Sequence, residues 1–276
     1  MIHQEFNFNL HKTKFYGQFF EPKTINAVVV LVHGMGEHSG RYKKFVIPEL
    51  NKNSIAVITF DHFGHGKTEG KRGHNPGYNE VLDSISYVLE KTKELFGEKH
   101  TFLYGHSMGG NAVINYALRR DNNLKGVIAT SPLLKLSFEP PKWKLNIGKA
   151  LLNIYPALIM SSGLDVNAVS RDKKAVEAYI NDPLNHDKVS PNFSILFIEN
   201  GEWAIDNAQK LKVPMLLMHG TGDKLTSYKA SQEFSKNAGD LVKLELYEGA
   251  YHELHNDLIK EDAVGKVINW INTNLS

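Results

Sequence analysis

The chain repeats one beat. A short, mostly apolar run of strand length is followed by a turn and then by a stretch with helical spacing. Runs of the first kind cover residues 27–32 (AVVVLV), 55–60, 101–104, 125–130, 213–219 and 241–247. The run at 27–32 is rich in β-branched residues and does not alternate with polar ones, which suits a strand buried on both faces. Helical spacing covers 42–52, 79–96, 108–120, 227–237 and 262–274. Such alternation predicts an α/β fold, a mostly parallel sheet with helices on both faces. Ahead of it, Ile2, Gln4, Phe6, Phe8 and Leu10 recur with a period of two, and 15–20 reads as the hairpin partner.

The beat stops at Ser131-Pro132 and resumes at 213. The expectation is one α/β domain made of 1–132 and 206–276, with 133–205 as a largely helical insertion. No internal repeat or low-complexity linker interrupts it.

The motif Gly105-His106-Ser107-Met108-Gly109 sits between the apolar run TFLY and the helical run NAVINYALRR. A serine on a sharp strand-to-helix turn holds a strained backbone with its hydroxyl exposed. Only small residues two positions to either side let strand and helix approach that closely. The Met108 amide then lies at a helix N-terminus and points at developing negative charge. His106 is expected to pack beside the turn.

A serine nucleophile needs a base, and the base needs a carboxylate to fix its tautomer. In this architecture the chain order is Ser, then acid, then His, each beyond a strand end. Asp223 follows the strand at 213–219, and His252 follows the strand at 241–247. Asp206, Asp240 and Asp257 are less well placed. His255 is the near rival of His252, which comes first after the Gly249 turn.

Other chemistries fit less well. Gly66-Lys67-Thr68 resembles the end of a phosphate loop, but the required glycine at 61 is Asp61. Gly34-Met35-Gly36 lacks the third glycine of a dinucleotide turn, because position 39 is Ser39. His252 and His255, or His62, His65 and His74, have no acidic partners at metal spacing, so no metal and no cofactor are expected. The balance of 32 Lys plus Arg against 30 Asp plus Glu, net +2, offers no reason to expect a nucleic-acid partner. Zero Cys excludes disulfides, thiolate metal sites and a Cys nucleophile, and is compatible with a reducing compartment. The N-terminus MIHQEFNFNL has no secretory pattern, and no apolar run reaches spanning length. A soluble, cytoplasmic protein is expected.

Several stretches together carry a resemblance. They are HGMGEHSGRY (33–42), FDHFGHGKTEGKRGH (60–74), GHSMGG (105–110), SP (131–132), SRD (170–172), DPL (182–184), HGTGD (219–223) and EGAYHELHN (248–256). With them the chain resembles the monoacylglycerol lipase and lysophospholipase branch of the α/β-hydrolases. The resemblance implies Ser107, Asp223 and His252 as a catalytic triad, and the amides of Met35 and Met108 as an oxyanion hole. It implies Glu37, Arg41 and His255 as polar groups around the glycerol end of a substrate, although Glu37 and Arg41 equally suit an ion pair that holds their loop.

The insertion takes the place of the family's helical cap. Its Trp143, Leu145, Ile147, Leu151, Leu152, Ile154, Tyr155, Leu158 and Ile159 are expected either to line an acyl tunnel or to pack the cap onto the core. Lys142, Lys144 and Lys149 suit an anionic surface. The activity implied is hydrolysis of monoacylglycerols to fatty acid and glycerol through an acyl-enzyme. The partners implied are a small lipid ester and a membrane or micelle touched transiently through the cap, at its periphery. The alternatives are a carboxylesterase or lysophospholipase with the same triad, or a non-catalytic binding module on the same scaffold. Oligomeric state is left open.

Overall fold

Val28, Val30 and Val32 turn to one side of the sheet, and Ala27, Val29 and Leu31 to the other; all are buried. A strand covered on both faces needs this composition, and each buried Val or Leu contributes roughly 1.5–3 kcal/mol. The computed structural model describes residues 1–139 and 141–275; the side chains of Lys142, Lys144 and Leu145 also lie outside the described residues.

The hairpin of β1 (Ile2–Leu10) and β2 (Thr13–Glu21) opens the chain. Then come β3 (Ala27–Val32), α1 (Val46–Lys52), β4 (Ile55–Phe60), α2 (Tyr78–Phe96), β5 (His100–His106), α3 (Met108–Arg119) and β6 (Gly126–Thr130). The stretch 42–52, expected as one helix, is a 3-10 turn over Ser39–Lys44 followed by α1. Beyond β6 the chain leaves the sheet for α4 (Lys142–Ile154), β7 (Met160–Ser161), α5 (Lys173–Ile180), β8 (Lys188–Val189) and α6 (Pro191–Asp206). The sheet resumes with β9 (Met215–Gly220), α7 (Tyr228–Ala238), β10 (Val242–Tyr247) and α8 (Lys260–Thr273).

The sheet runs β1-β2-β4-β3-β5-β6-β9-β10, parallel from β4 to β10, with β2 antiparallel to β4. One face packs α2, α3, α6 and α7 through Val81, Val113, Phe197 and Phe234; the other packs α1 and α8 through Ile47, Val264 and Ile271. The order reverses at β3, which lies between β4 and β5. Ligands bind at such a reversal, beyond the carboxyl ends of the strands. The register aligns Val32 with Gly105, and His106 with Thr130, so the loops after β3, β5 and β6 meet on one edge. The loops after β9 and β10 join them, because Gly220 pairs with Tyr247. Among the described residues, no helix is long and apolar enough to cross a membrane.

Candidate active site

Ser107 stands between β5 and α3 with φ 55 and ψ −115, a left-handed backbone that costs an L-residue roughly 1–3 kcal/mol. Its surroundings hold it there. Its N–H donates to Thr130 O at 2.9 Å, and its carbonyl accepts from Asn111 N and Leu133 N, each at 3.0 Å. The flanking glycines are a packing requirement: a Cβ on Gly105 would sit 2.2 Å from Gly109 O, and one on Gly109 only 2.1 Å from Val32 O. Met108 is the first residue of α3, where an amide has no intrahelical acceptor.

His252 reaches across from the loop after β10. Its Nε2 lies 2.8 Å from Ser107 Oγ, and its Nδ1 lies 2.7 Å from Asp223 Oδ2. A carboxylate only accepts, so Nδ1 carries hydrogen and Nε2 is free to take the hydroxyl proton. Asp223 is buried, and its Oδ1 accepts from the amides of Leu225 (2.7 Å) and Thr226 (3.0 Å). Oδ2 also meets His219 Nε2 at 3.1 Å and the Thr226 hydroxyl at 2.9 Å. Burial disfavours the charge on Asp223, yet His252 and His219 outweigh it and hold the carboxyl well below its ordinary range. Burial likewise pushes the His252 ring down, but Asp223, with Glu253 and Glu37 behind it, leaves it raised overall. Ser131 Oγ donates to His252 O at 2.7 Å and ties this loop to the end of β6.

A second charge cluster lies on the other side of the serine. Arg41 Nη1 donates to Glu37 Oε2 at 2.7 Å; Nη1 and Nη2 grip Glu253 at 2.6 and 2.8 Å. Glu37 Oε1 accepts from Gly34 N (2.7 Å) and Tyr42 OH (2.8 Å), which fixes the loop that carries Met35. Burial opposes ionisation of Glu253, but Arg41 overrides it and holds the carboxyl at about 2. His255 stacks on Tyr42 with ring centroids 4.8 Å apart, and both its ring nitrogens are buried with no partner among the described residues.

Ser107 and His252 open onto a cavity of about 1010 Å³ including its mouth. Gly34, Met35, Glu37, Tyr179 and Glu253 line its polar part; Leu133, Leu136, Val169, Phe193, Phe197 and Leu225 are among the apolar walls. Thus Ser107, His252, Met35 and Glu37 meet at the cavity, with Asp223 directly behind His252. Met108, Arg41 and His255 are not wall residues. None of the tunnel candidates whose side chains are described lines it either. The reason is the orientation of α4. Gly148 lies against Ile195 of α6, whereas Trp143, Ile147 and Ile154 are exposed. Leu145, Lys142 and Lys144 lie outside the described side chains, and Lys149 pairs with Glu199 at 3.2 Å. Sequence reasoning missed Glu253, Tyr179, Thr226 and His219. Only Glu253 had a signal, an acidic residue next to a candidate base. No group of three or more His, Asp or Glu among the described residues has the arrangement to hold a metal ion.

Comparison with known proteins follows the same line. Residues 23–259 match the family described as serine aminopeptidase, S33 (Hydrolase_4). An uncharacterized abhydrolase domain-containing protein of Dictyostelium discoideum is 36% identical over 248 residues, 89% of this chain; the match spans only 26% of that longer protein. Monoglyceride lipase of Rattus norvegicus is 31% identical over 260 residues, covering 93% of this chain and 84% of the rat protein. The crystal structure of Paleococcus ferrophilus monoacylglycerol lipase superposes with a TM-score of 0.88 at 37% identity, covering 94% of this chain and 99% of that one.

Proposed function

The chain belongs to the Hydrolase_4 family, in the monoacylglycerol lipase branch of the α/β-hydrolases, and is a carboxylic ester hydrolase; on that premise we propose that it cleaves monoacylglycerols to fatty acid and glycerol through an acyl-enzyme on Ser107. The carrying observation is the unbroken contact chain from Ser107 Oγ through His252 to Asp223 at the floor of an apolar cavity. Ser107 attacks the ester carbonyl as His252 Nε2 takes its proton. Asp223 orients the ring and stabilises the imidazolium. The amides of Met35 and Met108 hold the oxyanion, and losing one such donor typically slows turnover about 100–1000-fold. His252 then protonates the leaving glycerol, and water repeats the cycle on the acyl-enzyme.

The charged residues lining the cavity are Glu37, Asp165 and Glu253, all acidic. Glu37 and Glu253 share the single cation of Arg41 and Asp165 is exposed, so no wall residue offers a phosphodiester an unpaired cation, whereas a neutral polyol needs none. That favours a monoacylglycerol over a lysophospholipid of equal chain length. Residues 133–205 act as the cap. The exposed Trp143, Ile147, Ile154 and Tyr155 offer an apolar face to a membrane or micelle, which supports transient contact at a membrane periphery.

The test is a fluorophosphonate label followed by a panel of glycerol and glycerophosphocholine esters matched in acyl length. Labelling of the wild type and not of Ser107→Ala, with the glycerol ester turned over faster, supports the reading. Turnover that survives in Ser107→Ala rejects the mechanism. Equal or faster cleavage of the phospholipid rejects the substrate.

A further inference from the structure

Asp223 serves two imidazoles. Oδ2 lies 2.7 Å from His252 Nδ1 and 3.1 Å from His219 Nε2. Both nitrogens face an ionised carboxylate, which can only accept, so both carry hydrogen. His219 is fully buried near the end of β9, and its other nitrogen, Nδ1, lies 2.8 Å from the buried Ser231 hydroxyl on α7. The line of contacts therefore continues beyond the acid: Ser107, His252, Asp223, His219, Ser231.

A buried histidine with both nitrogens satisfied is ordinary core chemistry. The oxygen it meets is what sets this one apart. The Leu225 and Thr226 amides already occupy Oδ1. His219 donates instead to Oδ2, the oxygen that holds the catalytic ring. The two rings fill the lone pairs of Oδ2. The single Thr226 hydroxyl proton then goes to Ser131 O, 3.1 Å away, although that hydroxyl also lies 2.9 Å from Oδ2. Hydrogen bonds to one acceptor atom draw on the same electron density, so each weakens the other.

We propose that His219 is a positioning residue that shares Oδ2 of Asp223 with His252 and so sets how strongly the acid holds the catalytic imidazolium. The proposal rests on the serine-hydrolase reading above. Its sign follows from the geometry. Without the His219 N–H, Oδ2 keeps more negative charge for His252. The imidazolium is then more stable, the ring is harder to deprotonate, and the acid limb of the rate profile moves to higher pH. The other groups facing His252 are Glu253, Glu37, His106, His255 and Thr226; of these Thr226 alone also touches His219, its hydroxyl lying 3.2 Å from Nε2, and a neutral hydroxyl turning to the vacated Oδ2 replaces only part of what the His219 N–H withdraws. His219 does not line the cavity, so substrate binding is untouched.

The experiment measures kcat, KM and the fluorophosphonate labelling rate against pH for the wild type, His219→Phe, His219→Gln and Ser231→Ala. His219→Phe keeps ring volume and loses the N–H. Its acid limb rises by about 0.5–1 pH unit in both assays, so kcat at a fixed pH on that limb falls about three- to tenfold with KM unchanged. His219→Gln restores a side-chain N–H and brings the limb back toward wild type. Ser231→Ala frees the far end of the ring and moves the limb the same way by a smaller amount. If His219→Phe does not fold, the other two variants decide by the same criteria. An unmoved acid limb in every folded variant overturns the proposal, as does an equal shift in His219→Gln and His219→Phe. A wild type inert to the label fails the parent reading instead.

Discussion

Two buried charge clusters flank Ser107, and they are built for opposite ends. On one side Asp223 faces imidazoles, with His252 between it and the serine. On the other, Glu37 and Glu253 clamp the guanidinium of Arg41. Imidazole gains and loses a proton near neutral pH; guanidinium does not. The first cluster can therefore move a proton during a reaction, whereas the second keeps its charges and serves as a rigid wall. Burial penalises charge in both. What separates a catalytic from a structural ion cluster here is whether its cation titrates.

The sharpest way to break this contrast is Asp223→Asn. Asparagine can donate to the ring and favour the wrong tautomer, so kcat should drop about 10⁴-fold in a variant that still folds. A loss of less than about tenfold would remove Asp223 from the proton-moving cluster. Arg41→Met should do the reverse, by leaving two buried carboxylates without their cation. Denaturant titration should show a loss of about 3–5 kcal/mol, with a much smaller loss of turnover wherever the variant is folded. A stable but inactive Arg41→Met would move Arg41 into the chemistry.

The pH profile sharpens the comparison further. With the neutral His252 ring as the proposed base and its ionisation raised overall, the acid limb of kcat/KM should lie above the ordinary imidazole value of about 6.5. The stability sign is opposite. Protonated His252 stabilises the fold below that ordinary value, and the contribution disappears as pH rises through the raised one. The enzyme is thus most active where this stabilisation is gone. Glu253, held at about 2 by Arg41, adds no limb near neutrality.

A smaller effect concerns the seam between the chain beyond β6 and the sheet-edge loops. His65 and His186 meet there with ring centroids 4.5 Å apart. Burial pushes His65 well down and His186 to about 4. Both are neutral when folded, whereas the unfolded chain takes up protons below about 6.5, so stability falls as pH drops from there. His186→Gln should lower the acid-unfolding midpoint by roughly 0.3 pH unit with activity at neutral pH kept. No change would mean that this contact does not limit acid tolerance.

The strand–helix beat, the elbow at Ser107 and the order of serine, acid and histidine were legible in the residues. Each is a local property. Burial on both faces selects unbroken apolar runs, and the contact between Gly105 and Gly109 O admits no side chain. The walls of the cavity were not legible. The apolar residues of α4 suggested a lining, yet its described ones lie outside the cavity, and the walls come from β8, α6 and the loops around them. An apolar helix face says that something must cover it, not which surface does. Arg41 and Glu253 are 212 residues apart, and no local pattern announces their pairing. Likewise, the HGTGD segment displayed His219 as a residue, but only the packing of β9 against α7 turned its ring toward Asp223 and Ser231. Composition and periodicity decide which segments can be buried. The meeting of distant loops on one sheet edge depends on strand order and register, and these are settled only when the whole chain packs.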